Sequence, residues 1–183
     1  MTSRSTPPPE HEADVTIVLP CATATEDLDP SVLRRAFGAF PSGVVAVAAE
    51  VDGHHVGMAA SSFTSVSLDP ALVSFCIANH STTWPLLRKA PRLGVSVLAD
   101  HHGDVCRQLS GPAAGRFHGL HLLHTDDGAV LLHDAVAGFD TSIFREVRAG
   151  DHTVVLLRLH AVTHSDDGSP LVFHRSAFGR LAG

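Results

Sequence analysis

Short β-prone runs separated by turn residues constrain this chain of 183 residues more than any other feature of its sequence. Asp52-Gly53 joins the run Val44–Val51 to the run His54–Ala60 and is the strongest short-range hairpin signal in the chain. Further β-prone runs are Leu72–Ala78, Leu93–Ala99, Ala135–Val147, His152–His164 and Leu171–Arg175. Many antiparallel strands with hairpin turns and only short helices predict a mainly β domain that closes, or nearly closes, into a barrel, because closure removes the exposed edges of a sheet.

Helices are few and short in the predicted structure. Asp29-Pro30 places an N-cap before a proline, and the apolar residues between Val32 and Phe40 share one helical face, so we predict an amphipathic helix there. Two more short helices are predicted at Ser81–Lys89 and Gly103–Leu109. Residues 1–27 carry many prolines and charges and few large apolar side chains, so we predict a disordered extension before one domain spanning 28–183.

The net charge and the composition exclude some classes of binding partner and indicate where the protein is located. A formal net charge of -6 argues against a nucleic-acid or anionic-membrane surface. No apolar run approaches the ~18 residues that span a bilayer, and the N-terminus lacks the order of a signal peptide, so we expect a cytoplasmic protein. Cys21, Cys76 and Cys106 are odd in number and widely spaced, which favours free thiols.

The stretch Gly57–Val73 is the best candidate for a binding segment. It combines small residues with side-chain hydroxyls, so backbone N–H groups and hydroxyls can approach a flat, polar, anionic ligand. Ser81-Thr82-Thr83 adds hydroxyls at the start of a predicted helix, where they can cap the helix, bind an anion, or do both. Dinucleotide and P-loop glycine motifs are absent, and we expect any reaction to depend on a bound cofactor.

Four segments in this order and spacing closely resemble the short-chain flavin reductase family, the split-barrel reductases that supply reduced flavin to two-component monooxygenases. They are Gly57–Val73, His80–Leu87, Gly150–His152 and Pro170–Arg175. The likeness runs from about Leu33 to Leu181. It implies a mainly β, FMN-binding split β-barrel with short helices, present as a homodimer with the flavin close to the dimer interface.

The resemblance also implies roles for individual residues. His152 would lie beside the flavin and the nicotinamide as the catalytic residue. Arg88 or Lys89 would add positive charge near the flavin phosphate. The implied cofactor-binding residues are Met58, Ala59, Ala60, Ser61, Ser62, Ser65, Val66, Ser67, Ser81, Thr82, Thr83, Lys89 and Arg175.

The activity implied by the resemblance is NAD(P)H-dependent flavin reduction. A hydride would pass from NADH or NADPH to FMN or FAD, and reduced flavin would diffuse to a partner monooxygenase. Such a transfer depends on stacking and alignment more than on an acid or a base. An alternative stays open, in which a flavin-binding barrel has lost nicotinamide turnover and serves as a carrier or biosynthetic enzyme. It is favoured by Ala60, where relatives commonly have Asn, and by Phe178, where they have an aromatic hydroxyl.

A third alternative is a metal-binding barrel, because the chain contains 14 histidines. His118, His121 and His124 recur every third residue and would align on a helix, whereas adjacent pairs such as His54-His55 point to opposite faces of a strand. Gly119 and the β-prone surroundings argue against a helix there. We therefore expect no metal ligands.

Overall fold

The computed structural model describes residues 28–181, so the predicted disordered extension at 1–27 lies outside the described residues. The described α-helices are α1 (Pro30–Phe37), α2 (Trp84–Leu87) and α3 (Gly103–Leu109). The described strands are β1 (Ser42–Gly43), β2 (Val45–Val51), β3 (His54–Ala60), β4 (Thr64–Leu68), β5 (Ala71–Ala78), β6 (Leu93–Val97), β7 (Leu122–His124), β8 (Val130–Leu132), β9 (Ala137–Ala149), β10 (His152–His164), β11 (Val172–His174) and β12 (Ala177–Gly179). The mainly β prediction is confirmed.

Seven of these strands form one antiparallel sheet in the order β3-β2-β6-β9-β10-β5-β4. The strands β9 and β10 lie at its centre and are 13 residues long each. Their register shifts between Leu156 and Leu157 and again between Leu159 and Ala161. Bulges of this kind bend and twist a strand, which allows a long hairpin to follow a curved sheet.

The sheet curls until its two edge strands come close together. Only Ser61, Ser62 and Phe63 separate the end of β3 from the start of β4, although these strands stand at opposite ends of the sheet order. Four residue steps span at most about 14 Å. The two edges are therefore near neighbours at this point, as in a barrel that stays split.

Alternation along β2 shows how the sheet divides the interior into two cores. Val45 and Val47 belong to a core inside the curled sheet, which also contains Phe75, Leu93 and Leu157. Val44 and Ala46 face the opposite side. They join a second core with Leu98, Cys106, Leu109, Leu132 and Leu171. Because consecutive strand residues point to opposite faces, one Val/Ala-rich strand supplies both cores.

The first predicted helix is present, but the residues described here cover its apolar face only in part, with Val32 and Leu33 half-buried. The side chain of Asp29 accepts a hydrogen bond from the Ser31 amide and caps α1. No residue of this helix is buried, and Phe37 and Phe40 are 69% and 78% exposed. The described domain therefore leaves an aromatic surface at α1. No helix within residues 28–181 has both the length and the apolar character of a membrane span.

Several short elements differ from the sequence prediction or were not predicted. The predicted final strand Leu171–Arg175 is the shorter β11, and a tight turn at Arg175-Ser176 returns the chain into β12. Both turn residues have positive φ, 48° and 63°, as in a type I′ hairpin. The histidines proposed for helical spacing lie around β7, so His118, His121 and His124 do not share a helix face.

Gly94 on β6 provides a test of how closely β8 packs on the sheet. A Cβ atom at this position would overlap the backbone carbonyl of Val130, whereas a Cβ at Gly43 would meet nothing within 4 Å. Since backbone cannot move aside as a side chain can, we expect Gly94→Ala to lower the free energy of unfolding by about 3 kcal/mol. Gly43→Ala, the control, should change it by less than about 1 kcal/mol. Equal effects in urea titrations would contradict this packing.

Candidate functional site

The first part of the candidate site is a cavity of about 170 Å³ at the end of β3, called here the ledge cavity. Its floor consists of the small residues Ala59, Ala60 and Ser61. Its walls include Phe173 of β11 and Phe178 of β12, whose ring centroids lie 5.7 Å apart. Small side chains on one side and aromatic rings on the other are suited to a flat apolar group.

A second cavity, the threonine cavity, opens beside Gly57 on the same strand and is also lined by Thr82, Thr83 and Arg116. The Arg116 guanidinium donates 2.8 Å hydrogen bonds from Nη1 to the Gly57 carbonyl and to Thr83 Oγ1. These bonds fix a positive charge beside two hydroxyls. The arrangement suits an anion such as a phosphate group.

A third cavity of about 400 Å³, the arginine cavity, lies next to the ledge cavity. Its lining includes Arg34, Arg175 and Phe40. Ser61 and Phe173 belong to both the ledge cavity and the arginine cavity, so the two are contiguous. Gly57 and Ala59 are two residues apart on β3 and share a face, which places the threonine cavity about 7 Å further along. The three cavities therefore follow one line along β3.

Arg34 and Arg175 add positive charge at one end of this line. The described residues contain no ion pair to either guanidinium. Arg175 is anchored through its backbone, because its amide donates to the carbonyl of Gly38 at 3.0 Å. In a chain with a formal net charge of -6, this is a local basic surface next to an aromatic one.

His152 lies at the first position of β10, beside the turn at Gly150-Asp151. Its Nδ1 lies 2.7 Å from Asp151 Oδ1, and this hydrogen bond lowers the pKa of Asp151. An ionised carboxylate only accepts hydrogen bonds, so Nδ1 carries the proton and Nε2 is the free ring nitrogen.

Asn79, at the end of β5, holds this turn in place. Its side-chain amide donates to the Gly150 carbonyl at 3.0 Å, and its side-chain oxygen accepts from Thr153 Oγ1 at 2.9 Å. Its backbone N–H donates to the Asp151 carbonyl at 2.9 Å. Three hydrogen bonds from one residue therefore fix the position of His152 relative to β5.

Cys106 lines the ledge cavity without offering a reactive thiolate. Burial raises the pKa of its thiol, against smaller lowering effects from the Ser110 hydrogen bond and from Arg107. The thiol is therefore protonated at neutral pH and acts as a small apolar wall residue. Nucleophilic cysteine catalysis at this cavity is disfavoured.

The structure brings together six of the predicted site residues along β3. These are Ala59, Ala60 and Ser61 in the ledge cavity, Thr82 and Thr83 in the threonine cavity, and Arg175 in the arginine cavity. Ser81 is adjacent in sequence, and its Oγ accepts from the Trp84 amide at 3.2 Å, so it caps α2. Its hydroxyl thus serves as an acceptor for the first amide of this helix.

The other predicted residues lie outside these three cavities. Met58 packs against the core inside the sheet. Ser62 is bound to the backbone of Cys76 through its hydroxyl, which accepts from the amide at 2.8 Å and donates to the carbonyl at 3.2 Å. Ser65, Val66 and Ser67 belong to β4, at the opposite edge of the sheet order, and Lys89 is exposed beyond α2. Arg88, the alternative to Lys89, forms a 2.7 Å ion pair with Glu146.

Three residues of the site were missed by sequence reasoning: Arg116, Asn79 and Arg34. Arg116 lies in a loop rich in Gly, Pro and Ala, residues 111–119, where a single arginine carries no recognisable pattern. Asn79 has its partners more than seventy residues away in sequence. Only the fold brings these residues to the site.

A family model and individual curated relatives point to the same family. The model of the family described as "Flavin reductase like domain" matches residues 37–182. A flavin reductase from Pseudomonas putida is 36% identical over 156 residues, which cover 85% of this chain and 92% of the relative. The reductase subunit HsaB of a flavin-dependent monooxygenase from Rhodococcus jostii is 30% identical over 157 residues, covering 86% and 80%.

A solved structure shares the fold over nearly the whole described chain. The NADH:FAD oxidoreductase SgcE6 from Streptomyces globisporus superimposes with a TM-score of 0.82 and is 32% identical. The match covers 90% of this chain and 100% of that one. The split-barrel architecture predicted from the sequence is therefore confirmed.

The role of Asn79 can be tested by truncating its side chain. We expect Asn79→Ala to lower the free energy of unfolding by about 1–2 kcal/mol, because two side-chain hydrogen bonds are lost. Amide hydrogen exchange at the Gly150-Asp151 turn should become faster. The control is His80→Ala, an exposed neighbour, which should leave exchange at the turn unchanged. An unaltered turn in Asn79→Ala would show that this residue does not hold it.

Proposed function

The chain belongs to the flavin reductase like domain family, and on that basis we propose that it is an NAD(P)H-dependent flavin reductase. The reaction is hydride transfer from NADH or NADPH to FMN or FAD. The single observation that carries the proposal is the family match over residues 37–182, nearly the whole described chain. The line of cavities along β3 supports it, because it combines the apolar and anion-binding features that a flavin requires.

The residues present fit a flavin. We propose that Ala59, Ala60 and Ser61 bind the ring system, since they leave room and expose backbone groups between aromatic walls. Thr82 and Thr83 would bind the phosphate, with the charge supplied by Arg116 instead of the predicted Lys89. Arg175, together with Arg34, would bind a further anionic group of a dinucleotide.

When bound, the flavin and the nicotinamide would supply the redox chemistry, and the protein would supply position and electrostatics. We propose that His152 orients the substrates from the end of β10. Asp151 and Asn79 restrain this residue, one through its ring and the other through the turn beneath it. A restrained contact of this kind contributes to alignment, on which hydride transfer depends more than on proton transfer.

We also propose a homodimer that releases reduced flavin to a separate monooxygenase. Support for the dimer comes from exposed apolar side chains on two strands of the sheet. Val66 and Leu68 on the edge strand β4 are 48% and 97% exposed, and Phe144 and Val147 on β9 are 48% and 45% exposed. Support for the monooxygenase partner is the relative HsaB, which is the reductase subunit of such an enzyme.

A second function is favoured by one specific observation. Ala60 and Phe178, the two departures from the pattern of relatives, line the same ledge cavity. A flavin bound there would lose polar contacts at two points of one pocket. This favours a flavin-binding protein that lacks nicotinamide turnover and serves as a carrier or biosynthetic enzyme.

The proposed activity predicts flavin-dependent oxidation of NADH or NADPH. Purified protein should lower the absorbance at 340 nm only when FMN or FAD is added. His152→Ala should lower kcat/KM about 10- to 100-fold through loss of alignment. The control is His160→Ala, on the same strand but eight residues away, which should retain activity. A bound flavin spectrum with no turnover would overturn the reductase proposal in favour of the second function.

The proposed phosphate site predicts a change in flavin preference when Arg116 is replaced. We expect Arg116→Gln to lower the ratio of kcat/KM for FMN to that for riboflavin about tenfold, because a charge-assisted hydrogen bond contributes roughly 1.5–3 kcal/mol. Arg116→Lys should retain part of the preference. A general loss of activity caused by a more mobile loop would lower kcat/KM for both flavins equally and leave their ratio unchanged. An unchanged ratio would place the phosphate elsewhere.

A further inference from the structure

Three potential metal ligands meet on the outer surface of the hairpin formed by β2 and β3. Glu50 of β2 and His55 of β3 are direct cross-strand partners, so their side chains lie on the same face. His124, at the end of β7, completes the group. One ligand atom from each residue lies within 4.8 Å of the other two.

One pair of these atoms is already spaced as two ligands of a tetrahedral ion are. Zn²⁺ binds imidazole nitrogen and carboxylate oxygen at 2.0–2.2 Å, which places two ligand atoms roughly 3.3 Å apart. His124 Nδ1 and Glu50 Oε2 are already 3.4 Å apart, and the His55 and His124 ring centroids are 5.0 Å apart. The His55 ligand atom lies within 4.8 Å of the other two, so binding of one ion would draw the three atoms together by rotation of their side chains.

Backbone pairing holds the two hairpins together beneath the group. The Glu50 amide donates to the Gly128 carbonyl at 3.0 Å, and Ala49 forms a bridge with Ala129. The Thr125 amide donates to the Ala129 carbonyl, and the Thr125 hydroxyl accepts from the Ala129 amide. These contacts place His124 opposite Glu50 without any contribution from a metal.

We propose that Glu50, His55 and His124 form a binding site for a divalent transition-metal ion of the Zn²⁺ class. Two histidines and one carboxylate are a ligand set that Zn²⁺ uses in proteins. The side chains of His124 and Glu50 are 41% and 46% exposed, so an ion can enter from solvent and keep water as a fourth ligand. The proposed ion takes no part in the hydride transfer itself.

A metal at this site would link two parts of the fold. It would connect the β7–β8 hairpin to the β2–β3 hairpin through side chains as well as backbone. His55 also lines the threonine cavity and packs against Phe117, with ring centroids 5.8 Å apart. The metal would therefore hold one wall residue of that cavity in a single orientation.

The test uses Co²⁺ and Zn²⁺ as probes on untagged full-length protein freed of metal with a chelator. We expect one equivalent of Co²⁺ to give the visible absorption of a low-coordinate site, and Zn²⁺ to displace it. Zn²⁺ at one hundred times its Kd should raise the midpoint of thermal unfolding by about 5 °C. Neither readout requires flavin or NADH, so failure here leaves the reductase proposal untouched.

Matched variants distinguish this site from the other histidines. His124→Ala and Glu50→Gln should each weaken Co²⁺ binding at least tenfold and reduce the thermal shift at the same Zn²⁺ concentration to about half or less. His54→Ala is the control, because His54 neighbours His55 on the same strand but points to the opposite face. Unchanged thermal midpoints of all three variants without metal would establish that they fold. Equal Co²⁺ binding by wild type and His124→Ala, or an equal loss in His54→Ala, would overturn the proposal.

Discussion

The pairing of β9 with β10 is the interaction on which the rest of the structure depends. These two strands lie at the centre of the seven-stranded sheet and join β3, β2 and β6 on one side to β5 and β4 on the other. Their bulges allow the sheet to curl around one apolar core. Their connecting turn, with Gly150 at a φ of 63°, places His152 beside the end of β5.

Curling of the sheet also explains why the candidate site lies along an edge strand. A closed barrel would cover β3 with a neighbouring strand, whereas the split leaves its far side free for α3, the Arg116 loop and the β11–β12 hairpin. These elements form the walls of the cavities. Gly57 is needed in this strand because a Cβ there would lie 2.6 Å from both Phe117 and the Val47 carbonyl. The proposed binding surface is thus a consequence of incomplete closure.

Much of the fold and part of the site were predictable from local patterns. The hairpin at Asp52-Gly53, the cap at Asp29 and helix α3 follow from turn, capping and periodicity rules that act over a few residues. The short strands β7 and β8 were not predicted, since three residues carry too little periodicity to be recognised. The packing of α1 was not predictable either, because its apolar pattern does not say what, if anything, covers Phe37 and Phe40.

The sequence by itself determined the strand-rich architecture, the family and the small-residue character of the Ala59–Ser61 stretch. These properties depend on residue types and spacing within short segments. Only the tertiary structure decided that Arg116 stands beside Thr83, that Asn79 holds the turn before His152, and that His124 meets Glu50 and His55. Such contacts join residues far apart in the chain, and their geometry depends on sheet curvature and register, which local patterns do not encode.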